Sequence, residues 1–184
     1  AISKKTWRSV CQRFAPQVGE ISPDTLYEGI RKVARAYWSD LENHRKGRLD
    51  LKQTRRELLR LTLHEMGFGN HDELAYTIAD TFTEEKEVGI TLVPGAIEAL
   101  RYFKDSGLRM ALLTNGASDV QRRKINRFEL TPFFDFILVE GEFWAGKPHP
   151  GIFTEVMGKL NVDAAHTWMV GDDLERDIAG AQSL

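Results

Sequence analysis

Little in this chain of 184 residues is fixed covalently. It holds one cysteine, Cys11, so no disulfide can form within it and its stability must come from packing. A lone cysteine, with no stretch patterned as a secretory signal, suits a reducing, cytoplasmic compartment. Cys11 falls in an expected helix with no histidine at a suggestive spacing, and reads as chemically inert. No apolar run exceeds a few residues, far short of the roughly 20 that a membrane-spanning helix needs. Neither sign of charge dominates: 25 Lys and Arg stand against 27 Asp and Glu, a net −2. That excludes the broad basic field expected of a nucleic-acid binder. The short basic runs Arg55-Arg56 and Arg122-Arg123-Lys124 read as solvated helix faces. Internal repeats and low-complexity segments are absent, and oligomeric state is left open.

Hydrophobic residues make up 42% of the chain, enough for a sizeable core, and their spacing changes half-way along. In the first half the pattern is helical. Leu26, Ile30, Val33, Tyr37 and Leu41 recur at three and four, one stripe of an amphipathic helix, and Ser22-Pro23 supplies a capping hydroxyl followed by proline in the first turn. Leu51, Leu58, Leu59, Thr62 and Met66 repeat the theme until Gly67 and Gly69 stop it. Asn70-His71-Asp72-Glu73 has the form of a capping box ahead of Leu74, Ile78, Ala79 and Phe82. Residues 1–88 therefore read as a helical bundle. Residues 89–184 alternate. Pro94-Gly95 opens a helix; Leu108 to Leu113 is a nearly continuous apolar run; Ser118-Asp119-Val120-Gln121 caps a further helix; Phe136-Ile137-Leu138-Val139 is a second run. Pro150 to Leu160 is helical again, and Thr167 to Val170, with Trp168 in its interior, makes a third run. Apolar runs of this kind separated by helices argue an α/β fold with a doubly wound parallel sheet.

Ligands of open α/β sheets bind outside the carboxyl ends of the strands, and three such ends carry complementary chemistry. Thr114-Asn115-Gly116 offers a hydroxyl, an amide and backbone N–H groups around a flexible turn, a cup for phosphate oxygens; Asn-Gly is also an ordinary turn. Gly146-Lys147-Pro148 offers a cation on a backbone that the proline biases towards an extended form, although a loop lysine is commonly just solvated. Gly171-Asp172-Asp173-Leu174-Glu175-Arg176-Asp177 places four acids in seven residues at a strand–helix turn. Asp173 and Asp177, four apart on one helix face, repel by about 0.2–0.5 kcal/mol. A hard divalent cation such as Mg²⁺ would offset that repulsion. The plainer alternative is that Asp172 or Asp173 only caps the helix.

In this order the three motifs resemble those of the haloacid dehalogenase-like (HAD) superfamily, and in particular its phosphatase- and nucleotidase-like members with a helical cap, the branch that includes N-acylneuraminate-9-phosphatase. Leu112-Leu113-Thr114-Asn115-Gly116 is similar to the family's second motif. Lys147 within Gly146-Lys147-Pro148-His149-Pro150-Gly151-Ile152-Phe153 is similar to the third, and Gly171-Asp172-Asp173 with Asp177 to the fourth. The resemblance implies a Rossmann-like core over 89–184 and a helical cap over 1–88. It implies a Mg²⁺-dependent phosphomonoester hydrolase that acts on a small phosphorylated metabolite through an aspartyl-phosphate. Thr114, Asn115 and Gly116 would bind the phosphate, and Lys147 would pair with it and with the nucleophile. Asp172, with Asp173 or Asp177, would hold the metal. Lys147 and Asp172 are the expected catalytic residues. In capped members the lid meets the leaving group, which makes Trp7, Arg8, Tyr37, Trp38, His44, Arg45 and Arg48 candidate contacts. Tyr37 and Trp38 also fit core packing, and Arg45 and Arg48 fall in an expected loop. His149 and His166 read as ordinary surface residues.

One family element is missing: no Asp-x-Asp-x-Thr occurs in the sequence. The resemblance assigns the nucleophile to that motif and places its strand centrally in the sheet, between the strands ending at Thr114 and Asp172. Without it the interior would hold unpaired backbone groups, at about 1–3 kcal/mol each. The chain also opens with Ala and ends within an expected helix. These features lead to the expectation of a piece cut from a longer protein at both ends, inactive as it stands. Two alternatives remain open: a non-catalytic HAD-like binding protein, and a metal-free haloacid dehalogenase, against which the crowded carboxylates of 171–177 argue.

Overall fold

The computed structural model describes residues 2–184. The chain divides into two compact units, one ending at Thr91 and one running Leu92–Leu184.

The first unit is entirely helical. Helices α1 (Ile2–Val18), α2 (Pro23–Ser39), α3 (Leu41–Leu49), α4 (Leu51–Glu65) and α5 (Asp72–Gly89) follow one another through short turns. Helix α2 starts as its sequence dictates, with the Ser22 hydroxyl accepting from the Thr25 N–H at 3.0 Å and Pro23 in the first turn, where a missing N–H costs nothing. Its stripe buries Leu26, Ile30 and Val33. The stripe does not reach Leu41, which is 88% exposed, because the chain breaks at Asp40. Asp40 is extended and accepts from the Asn43 N–H at 2.8 Å to begin α3. Arg45 and Arg48, expected in a loop, therefore lie on a helix. The core joins Val10, Phe14 and Val18 of α1 with Leu26 and Ile30 of α2, Leu59 and Leu63 of α4, and Ile78 and Phe82 of α5. Trp7 stacks on Phe82 with ring centroids 3.7 Å apart. Cys11 is wholly buried here, and burial pushes its thiol up to about 12, which leaves it unreactive. The capping box expected at Asn70–Glu73 does not form. The residue before α5 is His71, whose side chain makes no capping bond.

In the second unit, α6 (Ala96–Asp105) leads to strand β1 (Ala111–Thr114), helix α7 (Ser118–Arg127), strand β2 (Phe136–Val139) and helix α8 (Pro150–Leu160). The two strands run parallel, with Ala111 opposite Phe136 and Thr114 opposite Val139. This is the strand–helix–strand unit of an α/β fold. Leu138, Ile152 and Phe153 form its small core, against which Leu113, Phe136, Val156 and Met169 pack. Strand β1 is shorter than its apolar run, since Leu108 is 56% exposed and follows the left-handed turn at Gly107. The third expected strand is not formed. A segment becomes a strand only when a neighbour takes its hydrogen bonds, and among the described residues the sheet has two strands. Over 167–170 only Met169 turns inward, while Trp168 is 92% exposed, contrary to its expected interior place. Among the described residues no helix is long and apolar enough to cross a membrane.

Leu59 is 1% exposed at the centre of the helical core. Leu59→Ala should lower stability by about 2–5 kcal/mol, read as a shift of the denaturant midpoint at unchanged slope.

Candidate active site

The register of the sheet sets the site. Because Thr114 and Val139 end level, the loops that follow β1 and β2 leave the sheet side by side and must settle against each other. They do so through one side chain. The Asn115 Nδ2 donates to the Lys147 carbonyl at 2.7 Å, and the Lys147 N–H donates to Asn115 Oδ1, also at 2.7 Å. This reciprocal pair imitates a strand ladder across two loops. It fixes the backbone of Lys147, whose peptide to Pro148 is cis.

The Lys147 ammonium lies 2.6 Å from Asp177 Oδ1, with the two side chains 12% and 7% exposed. Asp177 sits on a six-residue π-helical turn, Leu174–Ala179, and its second oxygen accepts from the Asp173 N–H at 3.2 Å. Asp173 caps that turn, accepting from the N–H groups of Glu175 at 3.1 Å and Arg176 at 2.8 Å. Those bonds, the Arg176 N–H foremost, together with the Arg176 guanidinium 3.2 Å from Asp173 Oδ2, hold its carboxyl below the usual range. The plainer reading of the acidic turn, a helix cap, is thus realised at Asp173. Asp172 makes no hydrogen bond or ion pair among the described residues. Gly171 must lack a side chain, since a Cβ there would fall 2.1 Å from Asp177 Oδ2.

Thr114, Asn115, Lys147, Asp172, Asp173, Arg176 and Asp177 line one open hollow of about 380 Å³. Six of the seven residues named from the sequence therefore meet in one place. Gly116 is the exception. It makes the turn, at φ +115°, but its N–H donates to Glu140 Oε2 at 2.8 Å and its carbonyl accepts from the Gly141 N–H at 3.0 Å. Of the donors expected of residues 114–116, the Asn115 side-chain amide and the Gly116 N–H are committed to the neighbouring loop.

A cation site is only partly present. Among the described residues no group of three or more His, Cys, Asp or Glu side chains is placed to hold a metal. Asp177 is paired with Lys147 and Asp173 turns back on its own helix, which leaves Asp172 as the uncommitted oxygen donor. His149 and His166 keep to the surface, His149 accepting from the Gly151 N–H at 3.0 Å and His166 contacting Asp163.

Arg176, named in the sequence only as part of the acidic turn, also lines the hollow. Two further residues at this end of the sheet, Glu140 and Glu142, belong to none of the sequence motifs. Glu142 grips Arg122 of α7 through two bonds of 2.8 and 2.6 Å and also accepts from the Ser118 hydroxyl. Ser118, expected to cap α7, is instead its first residue and turns to Glu142. Glu140 is buried at the end of β2. Acids placed directly after an apolar strand, at the same edge as Thr114, were the available signal for both glutamates.

A family model for haloacid dehalogenase-like hydrolases matches residues 4–184. The chain belongs to that family. This HAD chain is 34% identical to the ribulose-1,5-bisphosphate 5-phosphatase of Halopiger xanaduensis over 60% of its own length and 46% of that protein. It is 34% identical to the phosphoserine phosphatase of Thermus thermophilus, over 70% of the chain and 50% of the relative. The N-acylneuraminate-9-phosphatase of Rattus norvegicus is 44% identical over 40% of the chain and 29% of its own length. The chain thus spans about half, or less, of the length of these relatives. The HAD-hydrolase YfnB of Bacillus subtilis, crystallised bound to magnesium, superposes with a TM-score of 0.68 over 97% of the chain and 76% of YfnB. At 22% identity it attests the shared fold, a Rossmann-like core with helical cap.

The Glu142 grip gives a pH test. Arg122, with Ser118, holds the Glu142 carboxyl at about 2 against an ordinary 4.5. A depressed acid stabilises the fold above its unfolded value and loses that contribution as pH falls through the folded one. Glu142→Gln should cost about 1 kcal/mol at pH 7, and its difference from the parent should shrink between pH 4.5 and 2 in parallel melts.

Proposed function

We propose that this chain supplies the phosphate-holding side of a phosphomonoester hydrolase that acts on small phosphorylated metabolites. The observation that carries the reading is Lys147: a nearly buried cation, fixed through both its backbone and its ammonium, on the hollow that Thr114 also lines. Phosphatase activity named for several relatives supports it. We assign residues 1–88 to the cap and 89–184 to the core.

In this reading Thr114 donates its hydroxyl to a phosphate oxygen, and Lys147 neutralises charge that grows as the phosphoryl group moves. Asp177 keeps the ammonium aimed, while Asn115 keeps the loop that bears it from drifting. Asp172 is the residue that would hold Mg²⁺. The charge balance favours a cation there: two basic side chains face three carboxylates around the hollow, and a phosphate dianion would add to the negative side. When bound, the metal would supply charge neutralisation at the phosphoryl oxygens. The resemblance assigns the attack to an aspartate that forms an aspartyl-phosphate. That motif is not among these 184 residues, so binding is the property to measure on this chain. Cys11, single and buried, suits a reducing compartment such as the cytoplasm.

Calorimetry with inorganic phosphate tests the reading. The 184-residue chain should bind phosphate, more tightly with Mg²⁺ present. Lys147→Ala should weaken binding at least tenfold, and Asp172→Ala should remove the Mg²⁺ enhancement and the heat of Mg²⁺ binding itself. A folded chain that gives no phosphate heat, with or without Mg²⁺, would overturn the proposal.

A further inference from the structure

Glu140 is a carboxylate with no role in the scheme above, yet it is only 3% exposed. It lies one residue beyond the level where Thr114 and Val139 face each other, and it does not line the hollow. Its Oε2 accepts from the Gly116 N–H at 2.8 Å. The same turn is held from the other side, where the Gly141 N–H donates to the Gly116 carbonyl at 3.0 Å. Two glycines make room for this arrangement. A Cβ on Gly146 would lie 2.2 Å from Glu140 Oε1, and one on Gly141 would lie 2.6 Å from the Ser118 backbone nitrogen.

A buried carboxylate beside an anion site works against anion binding unless it does something a neutral residue would do less well. An ionised acceptor makes a shorter and stronger bond to a backbone N–H than a neutral one does. It therefore holds a turn more rigidly, here at the residue that follows Asn115. Asn115 in turn holds the Lys147 backbone, so the chain of contacts runs from Glu140 through Gly116 and Asn115 to Lys147.

We infer that Glu140 is a positioning residue of the phosphate site: it draws the Gly116 N–H away from the anion and fixes the 114–116 turn against the Lys147 loop. The inference rests on the phosphate-binding reading. Two variants disturb it by different routes. Glu140→Gln keeps the shape and removes the charge. Gly146→Ala keeps the charge and drives the carboxylate from its place.

The test uses calorimetry with inorganic phosphate, thermal melts, and the Gly116 amide followed by proton NMR and hydrogen exchange. In the unaltered chain the Gly116 amide should stay protected, with its shift little changed, as phosphate saturates the site. Both variants should speed its exchange and weaken phosphate binding at least fivefold in chains that still melt cooperatively. The inference fails if Glu140→Gln lowers the melting midpoint but binds phosphate as the parent does, which would make Glu140 structural only. It also fails if phosphate itself shifts and deprotects the Gly116 amide, a result that needs no variant to fold. Absence of phosphate binding by the unaltered chain would instead bring down the functional reading, and this inference with it.

Discussion

The contact between Lys147 and Asp177 holds the candidate site together. It joins a loop that follows β2 to a helical turn that lies some thirty residues further along the chain, and both partners are nearly out of water. A buried ion pair gains little over an apolar one, but removing a single partner leaves an unpaired charge in a poor solvent, at about 3–5 kcal/mol. Lys147 and Asp177 are therefore tied to each other, and everything attached to either is fixed with them. Asp177 carries the Asp173 backbone, and Lys147 carries the Asn115 side chain. The requirement extends to Gly171, where any side chain would strike Asp177.

The sheet provides the platform. Two parallel strands in strict register deliver two loops to the same edge, where their polar groups must find partners in each other because the sheet no longer supplies them. Asn115, Gly116, Glu140 and Glu142 do this. Each takes or gives a bond that the loops would otherwise leave open, and Glu142 adds α7 to the assembly. The outcome is a hollow in which Asn115, Lys147, Asp173 and Asp177 are each held by a partner, so that the cation stands fixed without further reorganisation.

The helical unit follows simpler rules. Its elements start where Ser22, Asp40 and Asp50 cap them, and apolar stripes at three and four close around one core. Between α4 and α5 a forked Arg56–Asp80 pair adds a polar clasp. The places where the stripes misled have a local cause. A cap residue such as Asp40 breaks the helix and turns the next side chain, Leu41, out to water.

The sequence by itself determined the helices, the two apolar strands, the family and the cluster of Thr114, Lys147 and Asp172, because each of these depends on local spacing or on residue types that follow a strand. Only the tertiary structure decided which groups are committed. Asn115 and Gly116 look like anion donors in the sequence; in the fold the Asn115 side chain grips Lys147 and the Gly116 N–H goes to Glu140. Asp173 and Asp177 look like metal ligands, yet one caps a helix and the other answers a lysine. A hydrogen bond depends on what stands opposite, and the run at 167–170 makes the same point for the backbone: it has the composition of a strand, but a strand exists only beside a partner, and none of the described segments takes that place.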